Sequence, residues 1–222
     1  KTALLNERLA LDSCKQYLEL FVKSASDDTI SSTFHDCFWV HEKRIAFLSG
    51  NISKGGVSAA FLTMKMKSLI MNSCFRFNDN PAEAMDEINK TLVNEYKVDM
   101  FISLLLCYFD ISKSILSFVK AGNIEIISVS EEKSFLIDNE ESPVLGFLSD
   151  SVYICNELFM IKDDKLIILN NGNTSHTTNI SDLDFLLTKN KSLNADELCS
   201  VIAQSQYVKN QIESNVIIAI KT

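Results

Sequence analysis

The residues best suited to chemistry lie in one glycine-containing loop, in the stretch LSGNISKGGVSAAF at positions 48–61. This stretch is typical of a strand end, a loop and a helix start, a junction that often holds a phosphate or a metal ion. The loop offers Asn51 and Lys54 but no carboxylate. It is not a P-loop, because its lysine precedes Gly55 and Gly56 instead of following the glycines. The pattern leaves open whether this is a working anion or metal site or one without its chemistry.

The three histidines give no clear catalytic arrangement. His35 lies next to Asp36, with His41 close behind. Neighbouring strand residues point to opposite faces, and His41 falls in an expected turn, so we expect ordinary surface histidines. His176 lies in a polar stretch and is interpreted in the same way. No serine–histidine–aspartate or cysteine–histidine spacing supports nucleophilic catalysis.

Composition bounds the class of protein. The 222 residues are 46% hydrophobic, which is enough for one well-buried core, and the net charge is −8. An acidic chain without a basic stripe is a poor candidate for binding nucleic acid or anionic membranes. The apolar runs are too short to span a bilayer, and no signal peptide is visible, so we expect no membrane insertion of this fragment.

The six cysteines have no CxxC spacing and lie mostly in apolar segments. This pattern favours buried free thiols in a reducing cytosol over disulfides or a zinc site, and we therefore expect a cytoplasmic protein. Because the chain starts at a lysine, we also expect it to be a fragment of a longer protein.

Periodicity predicts the elements that must position the loop. A first helix is predicted over residues 4–24, followed by a hairpin of strands 33–40 and 44–49. A helix over 58–77 is apolar on most faces and is expected to be sandwiched between layers. Another helix is predicted after Asn80, with Pro81 in its first turn and Glu83 in capping register.

From residue 100 the pattern changes to successive strands, then to helices near Ser181 and Asn194 and a last strand at Val216–Lys221. Strands and helices in blocks favour an α+β domain with antiparallel sheets and helices on their outer faces. We expect a leader helix and linker over residues 1–28 and one domain over 29–222.

Seven short segments fall at element boundaries in a fixed order: GNISKGG (50–56), SAA (58–60), MF with its strand (100–110), KAGN (120–123), SPVLG (142–146), NNG (170–172) and ES (213–214). In this order they resemble the motifs of the PPM family of metal-dependent serine/threonine phosphatases, in the branch of stage II sporulation protein E and RsbU-like regulators. The likeness runs from about Ser32 to Lys221. It implies a β-sandwich flanked by helical layers, in agreement with the order of the blocks.

The resemblance also implies a reaction. Members of the family use two Mg²⁺ or Mn²⁺ ions to activate a water that attacks the phosphate, and hard divalent ions require carboxylate oxygens. The positions that match the family's metal cleft are Thr33, Asn51, Ile52, Asn171, Glu213 and Ser214. Only the glutamate is charged. We therefore expect no intact catalytic set, no bound metal and no cofactor.

Five more residues are predicted to contribute to this cleft: Asp36, Lys54, Gly55, Gly56 and Gly172. Lys54 replaces a loop glycine of the family and would place a positive charge near the metal positions, although a solvated loop lysine is the simpler interpretation.

The leading hypothesis is thus a catalytically degenerate domain that acts as a regulatory, protein-binding signalling module. The expected partner is a protein such as an anti-sigma-factor antagonist, and a homodimer through the leader helix is a further expectation. One alternative is a weakly active phosphoserine/phosphothreonine phosphatase with a reduced metal site made of Glu213, Asp36 and Asp110. Another is an unrelated small ligand in the same cleft.

Overall fold

The structure, a computed structural model, describes residues 14, 16–24, 33–53, 57–96, 101–130, 134–137, 142–170, 186–190, 192–204 and 214–220. Ten strands of this part of the chain form two antiparallel five-stranded sheets. The first sheet has the order β1-β10-β9-β6-β7 and the second has the order β2-β3-β4-β5-β8. The strands are β1 (Leu18–Ser24), β2 (Thr33–His41), β3 (Arg44–Ile52), β4 (Ile102–Asp110), β5 (Ile115–Ala121), β6 (Ile124–Val129), β7 (Ser134–Leu136), β8 (Asn156–Phe159), β9 (Lys165–Asn170) and β10 (Ser214–Ile220).

Helices cover the outer faces of both sheets. The β2–β5 sheet carries α1 (Val57–Arg76) and α2 (Pro81–Thr91), which continues into a π-helical turn at Leu92–Tyr96. The other sheet carries α3 (Ala195–Gln204) and the helical residues 186–190. The predicted α+β class, with antiparallel sheets and outer helices, is confirmed. Within the described residues, no helix has the length and apolar character needed to cross a membrane.

Three layers of buried residues hold these elements together. One lies between α1, α2 and the β2–β5 sheet, another lies between the two sheets, and the third lies between the other sheet and α3. Strand β4 is buried along almost its whole length because both of its faces are covered. All six cysteines are free thiols and five of them are buried, as predicted. Burial raises the pKa of the Cys74 thiol to about 12, which keeps it unreactive.

The capping residues read from the sequence do set helix starts. The Asn80 side chain accepts a hydrogen bond from the Ala82 amide at 3.0 Å, and its amide group donates to the Glu83 carboxylate at 2.9 Å. At α3, Asn194 and Glu197 form a reciprocal capping box, with bonds of 2.9 and 3.2 Å.

The helix predicted over residues 4–24 is wrong for residues 18–24, which form β1. This strand pairs along its full length with β10, from Leu18 opposite Ile220 to Ser24 opposite Ser214. Its alternate residues Leu18, Leu20 and Val22 pack into the layer between the sheets. Sheet pairing outweighed a helical spacing of apolar residues. Residues 1–13 lie outside the described residues, and the domain boundary at residue 28 stays a prediction.

The prediction that helix 58–77 is enclosed on most faces is also wrong. One stripe, Leu62, Met66 and Ile70, is buried against the sheet. Phe61 and Met64, on the opposite side, are about two-thirds exposed (66% and 69%). No element among the described residues covers this side of α1, so its apolar residues face solvent.

Candidate functional site at one end of the sandwich

Strand register brings the polar residues of the β2–β5 sheet to one end of the space between the sheets. The first row across the strands is Thr33, Asn51 and Ser103, which are register partners on β2, β3 and β4. The next row is His35, Ser49, Leu105 and Lys120. Both rows lie on the face whose continuation, through Phe47 and Cys107, belongs to the core between the sheets.

The same end of the other sheet is reached through the turn between β5 and β6. Ala121 ends β5 and Ile124 begins β6. Ile124 pairs with Asn170, the last residue of β9, and Asn170 pairs with Ser214, the first residue of β10. The predicted cleft positions Thr33, Asn51 and Ser214 therefore lie at the same end of the sandwich, although they are far apart in sequence.

Gly122 forms the tight part of this turn. Its φ of 78° is unfavourable for other residues, and a Cβ at this position would collide with the Ser103 hydroxyl. Its amide donates to the carbonyls of Ser142 and Pro143 at 3.1 and 3.2 Å. The Ser142 hydroxyl donates to the Lys120 carbonyl at 2.7 Å. The segment that begins at Ser142 is thereby fixed beside the polar end and forms its rim.

Asn89 of α2 extends this rim. Its buried amide accepts from the Gly146 amide at 2.9 Å and donates to the Leu148 carbonyl at 2.7 Å. Next to it, Phe101 and Phe147 meet edge to face at 5.5 Å between ring centroids, with both rings about half exposed. Phe101 is bound to Ser53 at the end of the glycine-containing loop, through its amide and its carbonyl. An exposed aromatic pair thus stands at the edge of the cleft.

Three buried side chains at this end have polar atoms without a hydrogen-bond partner among the described residues. They are both ring nitrogens of His35, the Ser49 hydroxyl and the amide oxygen of Asn51. All three residues are at most 3% exposed. An unpartnered buried polar group costs about 1–3 kcal/mol, so three together are uncommon in a folded domain. These unpartnered atoms therefore cluster at one end of the space between the two sheets.

His35 corrects an expectation from the sequence, which was an ordinary surface histidine. The residue is buried, because β2 is covered on both faces and residue 35 points toward the other sheet. Burial, with a smaller contribution from the charge of Lys67, lowers the pKa of His35 to about 3. The ring is therefore neutral at physiological pH. His41, in contrast, is exposed as predicted, and His176 lies outside the described residues.

Two further predicted residues do not join the site. Asp36 lies on β2 between His35 and Cys37, so it points to the opposite face, and its carboxylate accepts from the Cys37 amide at 2.9 Å. Asp110 lies at the far end of β4, roughly 23 Å from Ser103 by strand rise. It pairs there with Arg44 at 3.4 Å. Burial alone would raise the pKa of Asp110, but hydrogen bonds from Ser112 and Lys113 and the Arg44 charge lower it overall. A reduced metal site that uses Asp36 and Asp110 is therefore wrong.

Several cleft predictions remain predictions. Ile52 is described, and its side chain is buried in the layer under α1, so only its backbone faces the site. Ser214 is placed by its backbone pairing alone. The remaining predicted residues lie outside the described residues: Lys54, Gly55, Gly56, Asn171, Gly172 and Glu213.

Sequence reasoning missed Lys120. Its neighbours Val119 and Ala121 belong to the layer under the helices, so Lys120 points into the space between the sheets, where it is only 8% exposed. The signal was present, because strand alternation places residue 120 on the same face as Phe118, a member of the core between the sheets.

The described donors fit a pair of divalent ions poorly. Mg²⁺ and Mn²⁺ prefer several anionic oxygens. In the part of the chain that the structure describes, no group of three or more histidine, cysteine, aspartate or glutamate side chains is placed to hold a metal. At the polar end, Thr33, Asn51 and Ser103 supply only neutral oxygens.

Solved structures share this fold. The PP2C phosphatase domain of SpoIIE from Bacillus subtilis is 14% identical, with a TM-score of 0.73, over 92% of this chain and 62% of that chain. The RsbU and RsbW domains of a Mycobacterium tuberculosis protein are 12% identical, with a TM-score of 0.73, over 92% of this chain and 60% of that one. The chain thus spans about three-fifths of these two structures. Identities this low show the fold alone. No curated protein matches the sequence.

The expectation of no cofactor is corrected by a third structure. RsbX, 15% identical with a TM-score of 0.68 over 92% of this chain and 96% of its own, is solved in complex with magnesium. A protein with this fold is thus solved with a divalent metal ion, and the small number of charged donors in this chain did not justify the expectation of no cofactor.

The sequence itself carries the family assignment. Residues 41–208, well over half of the chain, match the family described as stage II sporulation protein E. The fold, the order of the motifs and this match agree, and the resemblance read from the motifs is confirmed. The chain belongs to the stage II sporulation protein E family of PPM-type phosphatase domains.

Proposed function

We propose that this domain is a regulatory, protein-binding signalling module of the cytoplasm, in which the phosphatase chemistry of the family is strongly weakened. The observation that carries the proposal is Asn51, which is buried at the cleft end of β3 with a neutral, unpartnered amide oxygen where a carboxylate would be needed. A neutral amide coordinates a divalent ion but does not balance its charge. Six free thiols are consistent with a reducing compartment.

The expected partner is a protein phosphorylated on serine, such as an anti-sigma-factor antagonist. A structure that contains RsbU and RsbW domains together supports a role in regulation through protein partners. The Phe101–Phe147 pair supports it as well, because exposed aromatic residues beside a cleft are typical of recognition surfaces. Binding of a phosphoserine peptide should weaken at least fivefold in Phe147→Ala. Phe159→Ala, an equally exposed ring at the opposite end of the β2–β5 sheet, serves as the matched control and should bind as wild type.

An upstream segment is proposed to act through β1. This strand is bonded to β10, whose first residue, Ser214, lies at the cleft end. Displacement of β1 would therefore be passed directly to the cleft. We also propose a homodimer through residues 1–13. Light scattering of the chain with and without these residues tests it, since deletion to residue 13 leaves β1 intact; an unchanged mass contradicts the dimer.

The second candidate is a weakly active phosphoserine/phosphothreonine phosphatase. The magnesium complex of RsbX favours it. The unpartnered amide oxygen of Asn51 favours it as well, because such an oxygen can coordinate a metal cation.

One experiment separates the two candidates. Hydrolysis of a phosphoserine peptide is measured with Mn²⁺ and with a chelator, for the wild type, Asn51→Ala and Asn51→Asp. The leading proposal expects wild-type turnover at the level of Asn51→Ala, and an increase of at least tenfold in Asn51→Asp with Mn²⁺. Metal-dependent wild-type turnover that is lost in Asn51→Ala would establish the weak phosphatase instead.

A further inference from the structure

Helix α1 carries two apolar stripes on opposite sides, and only one of them packs into the core of the described residues. The inner stripe of Leu62, Met66 and Ile70 is buried against the β2–β5 sheet. A second stripe recurs at alternating steps of three and four residues: Phe61, Met64, Ser68, Met71 and Phe75. At about 100° per residue, these five positions fall within about 80° of the helix circumference, centred opposite the inner stripe. This narrow stripe is called the outer seam of α1.

The outer seam faces solvent along its length. Four of its five side chains are exposed, and the fifth, Met71, is half-buried. The exposed fractions are 66% for Phe61, 69% for Met64 and 49% for Phe75. Phe75 also contacts Phe38 of β2, with 5.9 Å between the ring centroids, so this end of the seam adjoins the edge of the sheet. Alternating steps of three and four residues are the spacing of a helix–helix contact.

The charge around the outer seam is positive, although the chain as a whole is acidic. Helix α1 contains Lys65, Lys67 and Arg76 and no aspartate or glutamate, whereas the chain has a net charge of −8. Lys65 and Lys67 follow Met64 by one and three positions, so they flank the seam on its two sides. Arg76 forms an ion pair with Glu87 of α2 at 2.9 Å, which balances its charge. The surroundings of the seam therefore favour carboxylates on whatever binds it.

These features identify one class of partner and weigh against the others. A second copy of α1 would bring Lys65 and Lys67 close to the same lysines across a two-fold axis near Ser68, where like charges are unfavourable. Residues 1–13 contain two acidic and two basic residues, so they offer no charge complement. A helix that lies on a membrane has a larger apolar face and a polar face rich in lysine and arginine. The seam instead matches a second helix with the same apolar spacing and with carboxylates beside it.

We propose that the outer seam of α1 binds an acidic amphipathic helix of another protein. The partner helix spans about four turns, because the seam from Phe61 to Phe75 is roughly 21 Å long. Its apolar side chains pack on Phe61, Met64 and Phe75, and its flanking carboxylates lie beside Lys67. The inference goes beyond the proposed function, because this surface lies on the outer face of α1, whereas the aromatic rim pair stands at the edge of the cleft.

Binding is tested by fluorescence anisotropy with a labelled synthetic peptide of about five helical turns, which has leucines at alternating three- and four-residue steps and glutamates beside them. A peptide of the same composition in scrambled order is the reference, and both are measured with a chelator and without phosphate. The wild type should bind the ordered peptide and not the scrambled one. Phe61→Ala should weaken binding at least fivefold. Phe159→Ala, which removes a ring of the same 66% exposure from the edge strand β8, is the matched control and should bind as wild type.

The charge beside the seam is tested by reversal. Lys67→Glu should weaken binding of the acidic peptide at least tenfold, and it should gain affinity for a peptide in which lysines replace the glutamates. The gain separates a charge effect from misfolding, which would weaken the binding of both peptides. Lys113→Glu, which changes an exposed lysine in the turn between β4 and β5, is the matched control and should bind as wild type.

Equal wild-type affinity for the ordered and scrambled peptides would overturn the inference, as would wild-type affinity in both Phe61→Ala and Lys67→Glu. Occupation of the seam by something else would overturn it as well. Anionic lipid vesicles that sediment the wild type but not Phe61→Ala would identify a membrane. A mass in light scattering that falls in Met64→Lys would identify a second copy, and peptide binding that requires removal of residues 1–13 would identify that segment.

The experiment is independent of the proposed function. None of its measurements uses a metal ion, a phosphorylated ligand or turnover. An active phosphatase would therefore contradict the proposed function and leave the seam untouched, whereas failure of the acidic peptide to bind would contradict the seam and leave the cleft untouched.

Discussion

The two ends of the space between the sheets are built on the same strands and are equally buried, but they differ in composition. At one end, the rows through Phe47, Cys107 and Phe118 are apolar and pack against the opposite sheet. At the other end, the rows hold His35, Ser49 and Asn51 with unpartnered polar atoms. The same strands thus carry a packed apolar core and, in the neighbouring rows, a cluster of buried polar side chains. The contrast indicates that one end stabilises the fold by apolar packing, whereas the other carries buried polar groups that cost stability.

The apolar end should lose the most stability on truncation. Phe47→Ala removes a ring that is 1% exposed in the core between the sheets, and it should lower the free energy of unfolding by about 3–5 kcal/mol. Urea unfolding followed by circular dichroism measures this. Phe159→Ala, an exposed ring, should stay within about 0.5 kcal/mol of the wild type. Similar losses in the two variants would contradict the assignment of the core.

The polar end should make stability depend on pH. His35 has a folded pKa of about 3 and an unfolded pKa of 6.5, so the unfolded chain binds the extra proton between these values. Above pH 6.5, His35 makes a constant contribution to the free energy of unfolding. Below pH 6.5, it lowers the free energy of unfolding by about 1.4 kcal/mol for each pH unit, down to the folded pKa. Between pH 7 and pH 5, the free energy of unfolding of His35→Gln should therefore fall by roughly 2 kcal/mol less than that of the wild type, because the variant cannot take up that proton.

The measurement is urea unfolding at the two pH values. His41→Gln, which removes an exposed histidine of the same strand, provides the control for the loss of an imidazole as such. If the free energy of unfolding of His35→Gln depended on pH as steeply as that of the wild type, His35 would not be buried in its neutral form.

The smallest effect is expected for Ser49→Ala. Ser49 is fully buried and its hydroxyl has no partner among the described residues, so its removal should change stability by less than about 0.5 kcal/mol or increase it slightly. The same unfolding assay measures this. A loss above about 1.5 kcal/mol would mean that the hydroxyl is held by an internal hydrogen bond. The polar end would then have fewer unpartnered polar groups, and it would differ less from the apolar end.

Features that depend on neighbouring residues followed directly from the sequence. The Asn80 cap, the Asn194–Glu197 capping box and the β2–β3 hairpin are set by groups a few positions apart, and the structure contains all three. The order of motifs was sufficient to indicate the family, because each motif marks the end of an element. The α+β class followed from the blocks in which these elements occur.

Features that depend on pairing across the chain did not follow. Apolar residues 18, 20 and 22 fit either a helix or a strand, and only the pairing of β1 with β10 at the other end of the sequence decided between them. The burial of His35 was decided in the same way, since it depends on a second sheet that covers its strand. Only the strand register showed that Asp110 lies at the end of β4 opposite to the end that holds Ser103 and lies beside Asn51.

The sequence by itself determined the local elements, the family and the scarcity of carboxylates at the predicted cleft positions, because these are properties of residue type and near-neighbour spacing. Only the tertiary structure decided that Lys120, His35, Ser49 and Asn51 share one buried end of the sandwich. Strand register joins residues from three separate strands, and no short-range pattern encodes which strand lies next to which.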